Sequence, residues 1–277
     1  MSAPLYAKRQ EIVSKIPNFW PLVFEECPLE IERYIQPSDS EIFAKYLTGL
    51  DVKRFEVPLD PEEAEQARGP GDPRSLLLRF EFAENEWFED TVLEKKFWWR
   101  RSRDGWTGLV SEPVRVHWKK GKDPTQGLMV GAMELWEARK KVGDMSARNL
   151  PAFDALSKIL ENWNGENTSF FTWFAFISSR RWVSAEESAD AIKAEKTRRQ
   201  TVGEGRLTTE DDVSPDDEML EQQVQVLEDG DSLANIIAED LWPSAIKYFS
   251  ECDSTTSCDL LLTSISTSTR TRGLGYL

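Results

Sequence analysis

The chain has 277 residues and a net charge of −15, from 49 acidic and 34 basic side chains. That excess disfavours strong direct binding to nucleic-acid phosphates and favours basic protein partners. Apolar residues make up 40%, enough to bury a sizeable core, and no apolar run approaches the roughly 18 residues of a membrane-spanning helix.

Cys27, Cys252 and Cys258 form no Cys-x-x-Cys pair. Neither a zinc site nor a disulfide framework is indicated, and a reducing compartment fits best. The N-terminus shows no basic-then-apolar leader, so an intracellular protein is expected. The single histidine, His117, stands between Val116 and Trp118 and reads as a structural strand residue. No nucleophile-elbow or phosphate-loop pattern accompanies it. No catalytic residue, metal or cofactor is therefore expected.

In chain order, residues 4–20 read as a helix. Apolar pairs recur every seven residues, Leu5/Tyr6, Ile12/Val13 and Phe19/Trp20, with Ile16 between them. On periodicity alone this stripe faces the chain's own core, and Pro17 should kink or restart the helix. A second helical region covers 20–35. Ser38 and Glu41 have capping-box spacing for a helix that ends near Gly49.

The middle is strand-like: Asp51–Val57, Ser75–Phe82, Thr91–Trp99 and Pro113–Trp118, with a Gly/Pro-containing loop over 62–74 and a turn at Glu84–Glu86. This predicts an antiparallel meander with one face covered by helices. Residues 148–176 read as helical with a loop at Asn162–Asn167, and the aromatic run Ser169–Phe176 reads as a buried helix. Residues 183–231 are poor in aromatics and rich in charge, which predicts a flexible acidic insertion. Helical spacing returns over 232–249, and the Ser/Thr-rich tail, 250–277, is expected to be disordered.

Five stretches, in order, resemble the nucleosome assembly protein (NAP)/SET family of histone chaperones. They are Ile16-Pro17-Asn18-Phe19-Trp20, the hairpin from Phe82 through Phe88 to Leu93, and His117-Trp118-Lys119-Lys120-Gly121-Lys122-Asp123. Ser169 to Phe174 follows, and last Asp240-Leu241-Trp242-Pro243 with Ile246 to Phe249. The SET/template-activating-factor branch looks closer than the longer NAP branch. Two features depart from the family's pattern: the helix before Ile16 is short, and Ser/Thr-rich sequence stands where the family carries an acidic tail.

The resemblance implies an α/β (α+β) NAP-like fold, with an N-terminal dimerisation helix followed by an antiparallel sheet backed by helices. It divides the chain into a dimer helix (1–20), the first part of the α/β domain (21–182), the acidic insertion (183–231), a closing helix (232–249) and the tail. It turns the apolar stripe into a homodimer seam made by Leu5, Tyr6, Ile12, Val13, Ile16 and Phe19. It also implies core histones as partners, bound for nucleosome assembly or disassembly, and a nuclear location with the cytoplasm as a second compartment. A second reading of the same fold is a regulatory partner of a phosphatase or a histone acetyltransferase.

Histones are dense in Lys and Arg. One exposed ion pair contributes only about 0–1 kcal/mol, but a face of single sign steers and holds a polycation. The expected contact residues are Glu228, Asp229, Asp231, Glu239 and Asp240 as a fixed patch. Asp211, Asp212, Asp216 and Asp217 are expected to act as an auxiliary arm. By the resemblance, Asp231 best matches a family contact. A minor alternative is a nucleic-acid face at Trp98, Trp99, Arg100, Arg101 and Arg103.

Overall fold

A computed structural model describes residues 3–57, 71–163, 168–202 and 223–252. Four helices come first: α1 (Ala3–Val13), α2 (Phe19–Glu25), α3 (Leu29–Glu32) and α4 (Pro37–Tyr46). Strands β1 (Leu47–Lys53), β2 (Leu76–Phe82), β3 (Val92–Arg101) and β4 (Thr107–Ser111) then form one antiparallel sheet in sequential order. Helices α5 (Leu128–Val142) and α6 (Pro151–Glu161) follow, then a 3-10 turn at Phe170–Ala175 and α7 (Ala185–Val202). The described chain closes with α8 (Gly230–Ile236), a π-helical segment (Ile237–Leu241) and α9 (Ala245–Cys252).

Period-two alternation builds the sheet. Leu76, Leu78, Phe80 and Phe82 of β2 are buried, while Leu77, Arg79 and Glu81 stay half-exposed. The register sets Phe80 opposite Leu93 and Leu76 opposite Phe97 on the same inner face. The aromatic run covers that face: Trp173 lies 5.4 Å from Phe97 and 6.1 Å from Phe80. It is a 3-10 turn rather than an α-helix.

Two buried charges tie this layer together. Lys95 occupies an inward position of β3 and is fully buried. Its Nζ donates to the carbonyls of Glu112 (2.9 Å), Phe174 (2.9 Å) and Phe176 (2.7 Å), matching three donors to three acceptors. Burial holds its pKa well below the usual lysine value. Asp39, also fully buried, accepts from Ser169 Oγ (2.6 Å), the Phe170 N–H (2.7 Å) and the Gln36 N–H (3.0 Å). The capping box of α4 is therefore Gln36 with Asp39, not Ser38 with Glu41.

Several sequence-based expectations change. The first strand is Leu47–Lys53, so the helix before it ends at Tyr46. The last strand is Thr107–Ser111 rather than Pro113–Trp118. Residues after Ser111 bond the aromatic run instead, through the Val114 N–H to the Phe174 carbonyl at 2.8 Å. His117 lies outside the strands and is exposed. Helix α5, absent from the sequence reading, ends at Gly143, whose φ of 78° suits a residue without Cβ.

The expected flexibility of 183–231 is not what 185–202 shows, because α7 is helical there. Ser184 Oγ accepts from the Glu187 N–H at 3.0 Å and caps its start. Ser188 Oγ then accepts the Arg101 N–H of β3, also at 3.0 Å. Residues 203–222 and 253–277, where flexibility and disorder were also expected, lie outside the described residues.

Candidate histone-binding face

The candidate face is built on α8 and the π-helical segment. Leu233, Ala234, Ile237, Ala238 and Leu241 turn into the core and are fully buried. This leaves Glu239 and Asp240 exposed. Gly230 opens α8 because nothing larger fits: a Cβ there would stand 2.4 Å from the Phe176 ring. Its carbonyl accepts from Trp173 Nε1 at 2.7 Å, which pins the start of α8 to the aromatic layer. At the other end Trp242 donates its backbone N–H to the Ile237 carbonyl (2.9 Å) and Nε1 to the Leu50 carbonyl of β1 (3.1 Å). The acids therefore sit on an element fixed at both ends.

Of the five residues expected to form the fixed patch, Glu228, Asp229, Glu239 and Asp240 are exposed, and Asp231 is half-buried. Burial, aided by the charge of Asp229, raises the pKa of Asp231. Glu239 pairs with Arg54 at 3.0 Å and Asp229 with Arg33 at 3.5 Å. Asp240 accepts from the Tyr248 hydroxyl at 3.1 Å. Burial, and then that bond, push the Tyr248 phenol up to about 12. Asp211, Asp212, Asp216 and Asp217 lie outside the described residues.

Four further acids that sequence reasoning missed, Glu25, Glu26, Glu30 and Glu32, lie along α2 and α3, and α2 packs against α9. The thiol of Cys27 is pushed up to about 12 by burial and then by the charges of Glu32, Glu25 and Glu26. Cys27 and Glu251 act in turn on Tyr248, the partner of Asp240. The density of Glu25, Glu26, Glu30 and Glu32 within eight residues was the available signal.

The six residues expected at the dimer seam separate into two groups. Val13 and Phe19 are buried within this chain, and Tyr6 and Ile16 pack against the same core. Leu5 and Ile12 are 66% and 63% exposed.

The alternatives find less support in the geometry. The ring of His117 meets the Asp90 carboxylate at 2.8 Å, an acceptor rather than a nucleophile. Among the described residues no group of three or more His, Cys, Asp or Glu could hold a metal, and no helix is long and apolar enough to cross a membrane. Arg100 and Arg101 lie 3.6 Å from Glu56 and Glu195, so carboxylates already engage these cations. Trp98 packs edge-on against Phe55 and Trp182.

The chain is similar to known proteins over most of its length. The family model "Nucleosome assembly protein (NAP)" matches residues 2–252. A putative nucleosome assembly protein of Schizosaccharomyces pombe is 25% identical over 258 residues, covering 90% of this chain and 68% of that one. NAP1-related protein 2 of Arabidopsis thaliana is 27% identical over 246 residues, 89% of this chain and 62% of that one. Protein SET of Drosophila melanogaster is 24% identical, with 89% and 60% covered. The chain thus spans less than two thirds of the latter two relatives. The crystal structure of the Vps75 histone chaperone aligns with a TM-score of 0.50 and 20% identity over 91% of this chain and 86% of that one, and so shares the fold. With the antiparallel sheet, the covering helices and a family match across residues 2–252 in place, the chain belongs to the nucleosome assembly protein (NAP) family.

Proposed function

We propose that the chain is a histone chaperone without catalytic activity or cofactor. It holds core histones on its acidic face and releases them during nucleosome assembly or disassembly. The observation that carries this reading is the set of exposed carboxylates: Glu239 and Asp240 on an element anchored at both ends, with Glu228 and Asp229 immediately before it. A preorganised face loses little entropy on binding, so more of the electrostatic attraction survives as affinity. Asp231 stands at its edge, and Asp211, Asp212, Asp216 and Asp217 add an auxiliary electrostatic arm. We further place the protein in the nucleus, where its cargo is, and read it as a homodimer through α1.

The test is capture of purified core histones by the full chain. Retention at low salt that fades at high salt is expected, because exposed charge pairs are screened. Failure to retain histones at low salt would remove this reading.

A further inference from the structure

Two arginines stand inside the acidic face itself. Arg54 Nη2 lies 3.0 Å from Glu239 Oε1, while its Nη1 donates to the Pro73 carbonyl at 3.0 Å. Arg33 Nη2 lies 3.5 Å from Asp229 Oδ2 and donates to the Tyr34 hydroxyl at 2.7 Å. Its guanidinium also rests 4.7 Å from the Tyr34 ring centroid. Each cation therefore has an anchor besides its carboxylate. At the tighter pair the arginine side chain is 26% exposed and the glutamate 62%, so the acid stays open to solvent while the cation is partly sunk.

We propose that Arg33 and Arg54 are built-in counterions of the acidic face. Each occupies a carboxylate in the free protein and yields it only to a partner dense in Lys and Arg. The inference rests on the histone reading above and names a control on that same site. An exposed pair is a weak link. A lone cation gains little by displacing Arg54, since it exchanges one pair for another. A polycation that delivers several charges together exceeds what the two arginines contribute. Once displaced, Arg54 stays nearby on the Pro73 carbonyl. There it repels the bound cargo and can retake Glu239 on release. The face is thereby tuned against sparse basic ligands and towards reversible loading.

A double-mutant cycle tests this, because it isolates the coupling between two residues. Affinities of the full chain for purified core histones, and separately for poly-lysine, are measured at low salt. The variants are Arg54→Gln, Glu239→Gln and the double substitution, with circular dichroism as the folding check. Lys193→Gln on α7 controls for net charge alone. Arg54→Gln should tighten binding about three- to five-fold, the scale of an exposed pair. Lys193→Gln should tighten it by less. Glu239→Gln should change wild-type affinity less than about two-fold, but weaken the Arg54→Gln protein about three- to five-fold. An additive cycle, or an Arg54→Gln effect no larger than that of Lys193→Gln, overturns the counterion role. Histone binding with an additive cycle leaves the chaperone reading standing. A coupled cycle on poly-lysine without histone binding keeps the counterions and removes the chaperone reading. Binding to neither polycation removes both.

Discussion

The guanidinium of Arg9 lies over the indole of Trp242, 4.4 Å from its centroid, and Nη1 donates to the Trp242 carbonyl at 2.5 Å. Tyr6 stacks on the same indole at 4.3 Å. Helix α1 is thus fastened to the residue that ends the acidic segment. Burial lowers the pKa of Arg9, and the indole face offsets part of that cost. Arg9→Ala should destabilise the chain by about 2–3 kcal/mol, through loss of its cation–π contacts with Trp242 and Tyr6 and its bonds to the Trp242 and Pro243 carbonyls. Amide exchange in α1 should rise more than in β2. Equal rises in both elements would show that the contact does not act locally.

The exposure pattern of α1 separates dimerisation from folding. Leu5→Glu with Ile12→Glu should give monomers that keep their melting temperature, since both side chains face solvent in one chain. Val13→Glu should instead unfold the domain, because that position is 3% exposed. Light scattering combined with thermal denaturation makes the check. A wild-type monomer at micromolar concentration would remove α1 as a dimer helix.

Lys95 should be a stability residue with no part in binding. Lys95→Met keeps the volume but leaves the carbonyls of Glu112, Phe174 and Phe176 without their shared donor. The Phe174 carbonyl keeps the Val114 N–H and the Glu112 carbonyl keeps Ser111 Oγ, so the loss falls mainly on the Phe176 carbonyl. One unsatisfied buried acceptor costs about 1–3 kcal/mol, and a loss of that size is expected. Below the melting transition, histone affinity should be unchanged. A variant as stable as wild type would mean that the ammonium's own desolvation cancels what its bonds contribute.

Helix α7 supplies a pH-dependent prediction. Bonds from Arg198 and Arg199, with the charge of Arg101 nearby, hold the Glu195 carboxyl down to about 2. A folded pKa depressed below the unfolded value, about 4.3 for Glu, gives a contribution that is present above that value. It is lost as pH falls through about 2. Carboxyl carbon-13 shifts should place the Glu195 midpoint near 2, and Arg101→Gln should move it upward. A midpoint in the ordinary glutamate range would mean that the ion pairs do not persist in solution.

What the sequence made legible follows from the range of the interactions involved. Alternation in Leu76–Phe82 and the aromatic density of Ser169–Phe176 are local signals, and both elements lie where expected. Lys95 was hidden because a charge at an inward position reads as an exception until its acceptors are known. Those acceptors include Phe174 and Phe176, distant in the chain. Asp39 was missed for the same reason, since Ser169 and Phe170 complete its shell. Helix α7 has few apolar residues and holds to β3 through Ser188 and Glu195, contacts that composition does not register. At the candidate face, the acids of the closing segment were readable from their resemblance. Arg33 and Arg54 joined them only through tertiary proximity.

We expect a fixed acidic face, rather than acidity in general, to carry histone binding. One variant neutralises Glu228, Asp229, Glu239 and Asp240 to Gln and Asn. A second neutralises Asp211, Asp212, Asp216 and Asp217 to Asn, removing the same number of charges. Core-histone affinity of each is measured at two salt concentrations, with circular dichroism confirming the fold. The face variant should lose more affinity than the arm variant at low salt, because a face held in place loses little entropy on binding. Both losses should shrink at high salt. A face variant that binds like wild type while the arm variant does not would move the function from the face to the insertion.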